Sequence, residues 1–167
     1  MSADSITDPV HARVQQAPID HAAERAALTG NRVDMGAVVS FTGTVRDQNG
    51  TLTALHLDHY PGMTEREIRR ILDRAMARWP LTGCRVVHRV GTLAPGEDIV
   101  AVLTASAHRE AAFDAARFIM DYLKTDAPFW KREDGPHGST WVPARAGDDA
   151  ARTAWEQPAP ANPGDGD

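Results

Sequence analysis

Cysteine is nearly missing from this chain: Cys84 is the only one in 167 residues. A lone thiol excludes an intramolecular disulfide and a zinc site built on paired cysteines, and nothing points to an oxidising compartment. Long apolar runs are lacking too. No stretch approaches the roughly 20 apolar residues of a membrane span, and the opening MSADSITDPVHARV has no apolar segment of signal-peptide length. The expected location is the cytoplasm, without membrane contact. Positive charge is in deficit, 18 basic against 23 acidic residues for a net charge of -5. That removes the broad basic footprint of a general nucleic-acid binder, though it leaves room for a local basic pocket. No G-x-G-x-x-G opens a helix after a strand, no P-loop pattern occurs, and no serine sits in a G-x-S-x-G context. His56, His59 and His88 occur singly on strands, and no His, Asp or Glu spacing makes a metal site. Neither a metal nor a cofactor is expected.

Lysine is the most telling shortage. Lys124 and Lys131 are the only two among the 18 basic residues, and both lie in LKTDAPFWKRE; the others are arginine. Coding preference explains the arginine excess but not why both lysines share one segment. Guanidinium keeps its proton, so arginine cannot replace an amine that must release a proton or attack a carbonyl. Two residues are a small sample, and chance clustering stands beside the chemical reading.

What is present reads as a mixed α+β chain. Residues 1–18 suggest an extended or frayed start, and Asp20 caps a short helix over about 20–28 that TGN ends. MGAVVSFTGTVR (35–46) has strand composition, with Gly43 marking a bulge or a close backbone approach. TLTALHLDHY (51–60), after the turn DQNG, is expected to be its hairpin partner. Thr64 and Glu67 suggest a capping box, with Met63 and Ile68 at the staple positions. Ile68, Ile71, Leu72, Ala75, Met76 and Trp79 then mark one face of a helix that Pro80 ends. CRVVHRVG (84–91) predicts a strand, TLAPGE a turn, and DIVAVLTASA (98–107) a central strand buried on both faces. Ser106 is the expected cap of a helix from about His108 to Leu123, which Pro128 forbids beyond Ala127. FWKRE and STWV flank DGPHG as a hairpin. Residues 1–146 are expected to form a single α+β domain, and 147–167 a C-terminal tail, partly helical and then disordered.

Several side chains are candidates for chemistry. His108 and Arg109 open a helix, where cations disfavour the helix itself unless an anion such as phosphate binds among the free N–H groups; the residues alone favour the plainer reading of solvent exposure or pairing with Glu110 or Asp114. Lys124 closes the same helix and Lys131 follows Phe129 and Trp130. Amines against apolar walls become usable bases or nucleophiles. The plain alternatives are a dipole-complementing helix-end cation and a snorkelling strand residue. Arg46 and Arg145 end strands and suit either a phosphate or carboxylate ligand or a surface ion pair.

SFTGTVRD, HYPGMTE, RWPL, HRVGTLAPGE, SAHREAAF and FIMDYLKTDAPFWKRE, followed by WVPAR, run in this order between about Gly36 and Arg145. Together they resemble the large, catalytic subunit of the molybdopterin synthase family. The resemblance implies an α/β hammerhead-like fold with an additional antiparallel β-sheet. It implies a sulfurtransferase that turns cyclic pyranopterin monophosphate into the dithiolene-bearing molybdopterin, with no metal needed for sulfur insertion. The sulfur is carried as a thiocarboxylate on the C-terminal glycine of a small ubiquitin-like subunit, whose tail threads into the large subunit. The implied assembly is a heterotetramer with a central homodimer of large subunits. By position, Lys124 and Lys131 match the family's catalytic lysines, and Arg46, His108 and Arg109 its anionic substrate pocket. Phe41, Met120 and Arg145 match other substrate-binding positions, some reached from the neighbouring subunit. The short DQNG turn departs from the pattern by trimming a substrate-side loop, and the Ala-, Pro-, Gly- and Asp-rich tail makes partner docking the weakest part of the likeness. The competing readings are a non-catalytic module that docks a ubiquitin-like protein and a Schiff-base enzyme using one desolvated lysine.

Overall fold

The structure, a computed structural model, describes residues 8–143 and 146–157. The expected frayed start at residues 1–7, Arg145, and the expected disordered run at 158–167 lie outside the described residues.

Two four-stranded sheets carry the chain. In the first, β1 (Val10–Gln15) runs parallel to β4 (Leu81–Arg89), pairing Val10 with Cys84 and Gln15 with Arg89. β6 (Asp98–Ser106) is antiparallel to β4 on one side and to β2 (Ala37–Thr44) on the other, giving the order β1-β4-β6-β2. Helices cover both faces. On one, α2 (Met63–Arg78) and α3 (Arg109–Asp126) press Ile68, Leu72, Phe118, Ile119 and Tyr122 against Cys84, Val86, Val100 and Val102. On the other, α1 (His21–Thr29) sets Leu28, with Ile19, against Val87, Ala101, Leu103 and Ala105. Alternate residues of a strand face opposite ways, so a strand sandwiched between helical layers is apolar on both faces, as IVAVL within DIVAVLTAS is. Each such Val, Leu, Ile or Phe side chain contributes roughly 1.5–3 kcal/mol of burial. Under α1 the same alternation also buries charge: Arg85 donates to Glu24 Oε2 from Nε at 3.0 Å and Nη2 at 2.9 Å, while Arg13 holds Oε1.

The second sheet has the order β5-β3-β7-β8 and is antiparallel throughout, built from β3 (Ala54–His59), β5 (Gly91–Leu93), β7 (Phe129–Gly135) and β8 (Gly138–Trp141). Val45, Leu55, Leu57, Val90 and Leu93 form the cluster that joins it to the first sheet. The mixed α+β class read from the sequence holds.

Four local expectations need correction. β3 does not pair with β2. The register of β2 against β6 shifts at Gly43/Thr44, Val45 bonds Glu97 and Gly96 instead, and Asp47 Oδ1 accepts the N–H groups of Thr51 and Leu52. The chain is thereby turned off, and β3 finds β5 and β7. The Thr64–Glu67 capping box does not form, because α2 begins two residues earlier, with Gly62 as its N-cap: Glu65 accepts from Gly62 N (2.7 Å), and the fully buried Thr64 ties Tyr60 N to Pro128 O. Ser106 does not cap α3. His108 is the cap residue, and Ser106 Oγ donates to Pro80 O (2.9 Å). TLAPGE is not purely a turn, since its start pairs with β3.

After Pro143 a last helix, α4 (Ala146–Ala154), lies against α3. Trp155 clasps it there, edge-on to Trp79 and Phe118 at 5.6 Å each, with Nε1 donating to Asp121 Oδ2 (2.7 Å). No helix among the described residues is long and apolar enough to cross a membrane.

Candidate active site

A cavity of about 700 Å³ opens where the two sheets meet the end of α3. Five candidates from the sequence line it together: Phe41, Arg46, Met120, Lys124 and Lys131. Their convergence follows from the folding of three separate segments. β2 brings Phe41 and, just past the Gly43 bulge, Arg46. A Cβ at Gly43 would stand 2.8 Å from Val100 Cγ1, so the close approach of β2 to β6 depends on that glycine. The buried stripe of α3 carries Met120 to the wall and leaves Lys124 in the last turn, its side chain 53% exposed. β7 then turns back against β3, pairing Lys131 with Leu57, and Lys131 O accepts Val142 N at 2.8 Å.

The site is charged by construction. Lys124 Nζ lies 3.5 Å from Asp148 Oδ1 of α4, and Asp148 also lines the cavity. At the far rim Asp134, bonded by Ser139 and His56, is held below the usual carboxylate range by those two hydrogen bonds. Asp47 is likewise lowered by the backbone N–H groups it accepts, that of Leu52 foremost. Two groups that might have been thought reactive are not. Burial pushes the Cys84 thiol up to about 12, so it stays protonated inside the core and offers no sulfur nucleophile. Burial pushes His88 down to about 4, so its imidazole is neutral. Among the described residues no group of three or more His, Cys, Asp or Glu side chains is placed to hold a metal.

His108 and Arg109 do not reach this cavity within one chain. They open α3 while Lys124 closes it, and 16 residues of helix span about 24 Å. Both are exposed, and neither side chain has an ion pair among the described residues, so of the two plain readings solvent exposure holds and pairing with Glu110 or Asp114 does not. Arg145 lies outside the described residues. Among the cavity-lining residues that sequence reasoning passed over are His88 and Asp148. The alternation in CRVVHRV aims His88 to the same side as Cys84 and Val86, which was the available signal; Asp148 sat in a stretch too polar to suggest a site.

Comparison with known proteins is decisive for kinship. The sequence profile of the MoaE protein family matches residues 14–126. The chain belongs to this family. It is 56% identical over 147 residues to the molybdopterin synthase catalytic subunit of Mesorhizobium japonicum, a match covering 86% of this chain and 92% of that one. Among solved structures, the molybdopterin biosynthesis MoaE protein from Burkholderia ambifaria superposes with a TM-score of 0.77 at 46% identity, covering 90% of this chain and 99% of that chain. Molybdopterin synthase from Staphylococcus aureus gives a TM-score of 0.74 at 30% identity, with 79% and 96% covered. The cavity thus sits in a MoaE fold, and its two lysines are the only lysines this family member has.

Proposed function

We infer that this chain is the catalytic half of a molybdopterin synthase, moving sulfur from the C-terminal thiocarboxylate of a small ubiquitin-like subunit to cyclic pyranopterin monophosphate. The observation that carries the reading is the convergence of Lys124, Lys131 and Arg46 on one cavity large enough for a tricyclic substrate and an extended peptide end. The thiocarboxylate sulfur attacks a side-chain carbon of the pterin, forming a C–S bond as an oxygen substituent leaves. Lys124, at the rim, supplies the proton that oxygen needs and stabilises the developing charge. Lys131 orients the substrate from the strand side. Water then attacks the acyl carbon, breaking its bond to sulfur; the small subunit departs as a carboxylate, and a second charged copy repeats the step. Arg46 offers a guanidinium to the phosphate, with Phe41 and Met120 as apolar walls.

His108 and Arg109 join this scheme through a second copy of the chain. β2 is an edge strand, and beside it Phe41 (41% exposed) and Phe113 (61% exposed) leave apolar surface uncovered. A central dimer packed on that face carries each helix start toward the other copy's phosphate, with one small subunit at either end, in the cytoplasm. The test is a product assay with purified chain, thiocarboxylated small subunit and cyclic pyranopterin monophosphate, reading molybdopterin as its fluorescent oxidised derivative. Product from the native chain and almost none from Lys124→Ala is the expected result. Absence of product with the small subunit still bound identifies a docking module instead.

A further inference from the structure

His88 is a polar group of the cavity wall to which the sulfur-transfer scheme gives no task. It stands on β4, and its ring stacks on Phe129, two residues before Lys131, with centroids 3.9 Å apart and planes 20° from parallel. Nδ1 lies 2.8 Å from Arg89 O. A carbonyl oxygen only accepts, so Nδ1 carries the hydrogen and Nε2 keeps its lone pair. Stacking and this bond together lock both the tautomer and the plane of the ring. No protein donor reaches Nε2 among the described residues, although Lys131 lines the same cavity. Enclosure and the neighbouring His59 oppose protonation, so the ring does not add a third cation beside the lysines.

Half-buried in the cavity wall, this acceptor with its fixed lone pair is a ready hydrogen-bond site for a ligand that fills the cavity. Phe129 and Met120 line the same cavity and offer apolar surface to a planar heterocycle, and the pterin ring carries N–H groups along its edge. Resting on the pterin-binding reading above, we propose that His88 is a substrate-binding residue whose Nε2 accepts a hydrogen bond from a ring N–H of the pterin. It sets which edge of the heterocycle faces the wall, and so which side-chain carbon meets the incoming sulfur. A ring analogue with an acceptor in place of that N–H is excluded, because two lone pairs would then face each other.

The test is equilibrium binding of cyclic pyranopterin monophosphate to the full chain without the sulfur donor, followed by kcat and KM with it. His88→Phe keeps the stack on Phe129 and loses the acceptor. His88→Gln loses the ring but places an amide oxygen near the position of Nε2. The expected result is Kd and KM raised roughly 10- to 100-fold in His88→Phe, within about fivefold of native in His88→Gln, with kcat the less affected constant. Native affinity in His88→Phe, or equal weakening in both folded variants, overturns the assignment. Failure of the native chain to make product while it still binds the pterin in a His88-dependent way would sink the synthase reading and leave His88 in place.

Discussion

Replacing Glu24 with glutamine tests how the face of the first sheet opposite the cavity is held. Glu24 is 4% exposed and Arg85 8%, and Arg85 makes both of its side-chain bonds to Glu24 Oε2. The amide is the same size but has no charge, so Glu24→Gln strands a buried guanidinium. Breaking a buried pair from one side costs about 3–5 kcal/mol, because desolvation of the survivor is no longer offset. For a chain of this size each kcal/mol shifts Tm by about 2–4 °C, so a fall of roughly 6–20 °C is expected by calorimetry. The double variant Glu24→Leu with Arg85→Met removes both charges and should recover most of the loss, since apolar residues of similar volume replace such pairs at little cost. Arg13 then keeps its bond to Gln15 and its access to water. Because α1 and the cavity lie on opposite sides of the sheet, molybdopterin formed per folded molecule should be unchanged in both variants. A Tm within 2 °C of native for Glu24→Gln, or a double variant no more stable than the single, would refute the reasoning.

Lys124→Arg keeps the charge but not a releasable proton; turnover should fall nearly as far as in Lys124→Ala, by at least about 100-fold, with the Tm unchanged. Trp155→Ala should loosen α4 at a cost of about 1–3 kcal/mol and expose residues 146–157 to limited proteolysis while the rest of the chain stays protected. Gly36→Ala places a Cβ 2.1 Å from Ala107 O, forcing β2 off the end of β6; a loss of about 1–3 kcal/mol in urea unfolding is expected. His88 titrates near 4 when folded against 6.5 when free. The unfolded chain therefore binds its proton first, and stability falls as pH drops from about 7 to 4, by at most about 3 kcal/mol. Native protein should show a steeper loss over that window than His88→Gln, with no difference above pH 7.5.

Much of this was legible in the sequence because it rested on local pattern. The stripes of α2 and α3 repeat with the period of a helix, and the near-continuous apolar run of β6 named a strand covered on both faces. Lys124 and Lys131 stood out by rarity, and Arg46 by its place after a strand glycine. What escaped notice depends on partners distant in the chain. Nothing in TLTALHLDHY says that it pairs with Phe129–Gly135 instead of its neighbour. Thr64 looks like a cap by spacing alone, yet its hydroxyl is drawn to Pro128 O across the fold. His108 and Arg109 stood out as cations at a helix start, but only the length of α3 reveals that their own chain's cavity is out of reach. His88 needed the stacked Phe129 to become visible.

The pairing of β3 with β7 has a consequence for synthesis. Ala54 must wait for Asp134, just as Val10 must wait for Cys84. Such distant closures are entropically slow and cannot begin until the later strand has left the ribosome. Lys131 lies on the late-arriving strand, so the pocket is among the last parts of the molecule to exist. A nascent chain can bury α2 against β1 and β4 long before the cavity has its Lys131 wall, and a message truncated before β7 yields a chain with a partial core and without the candidate site.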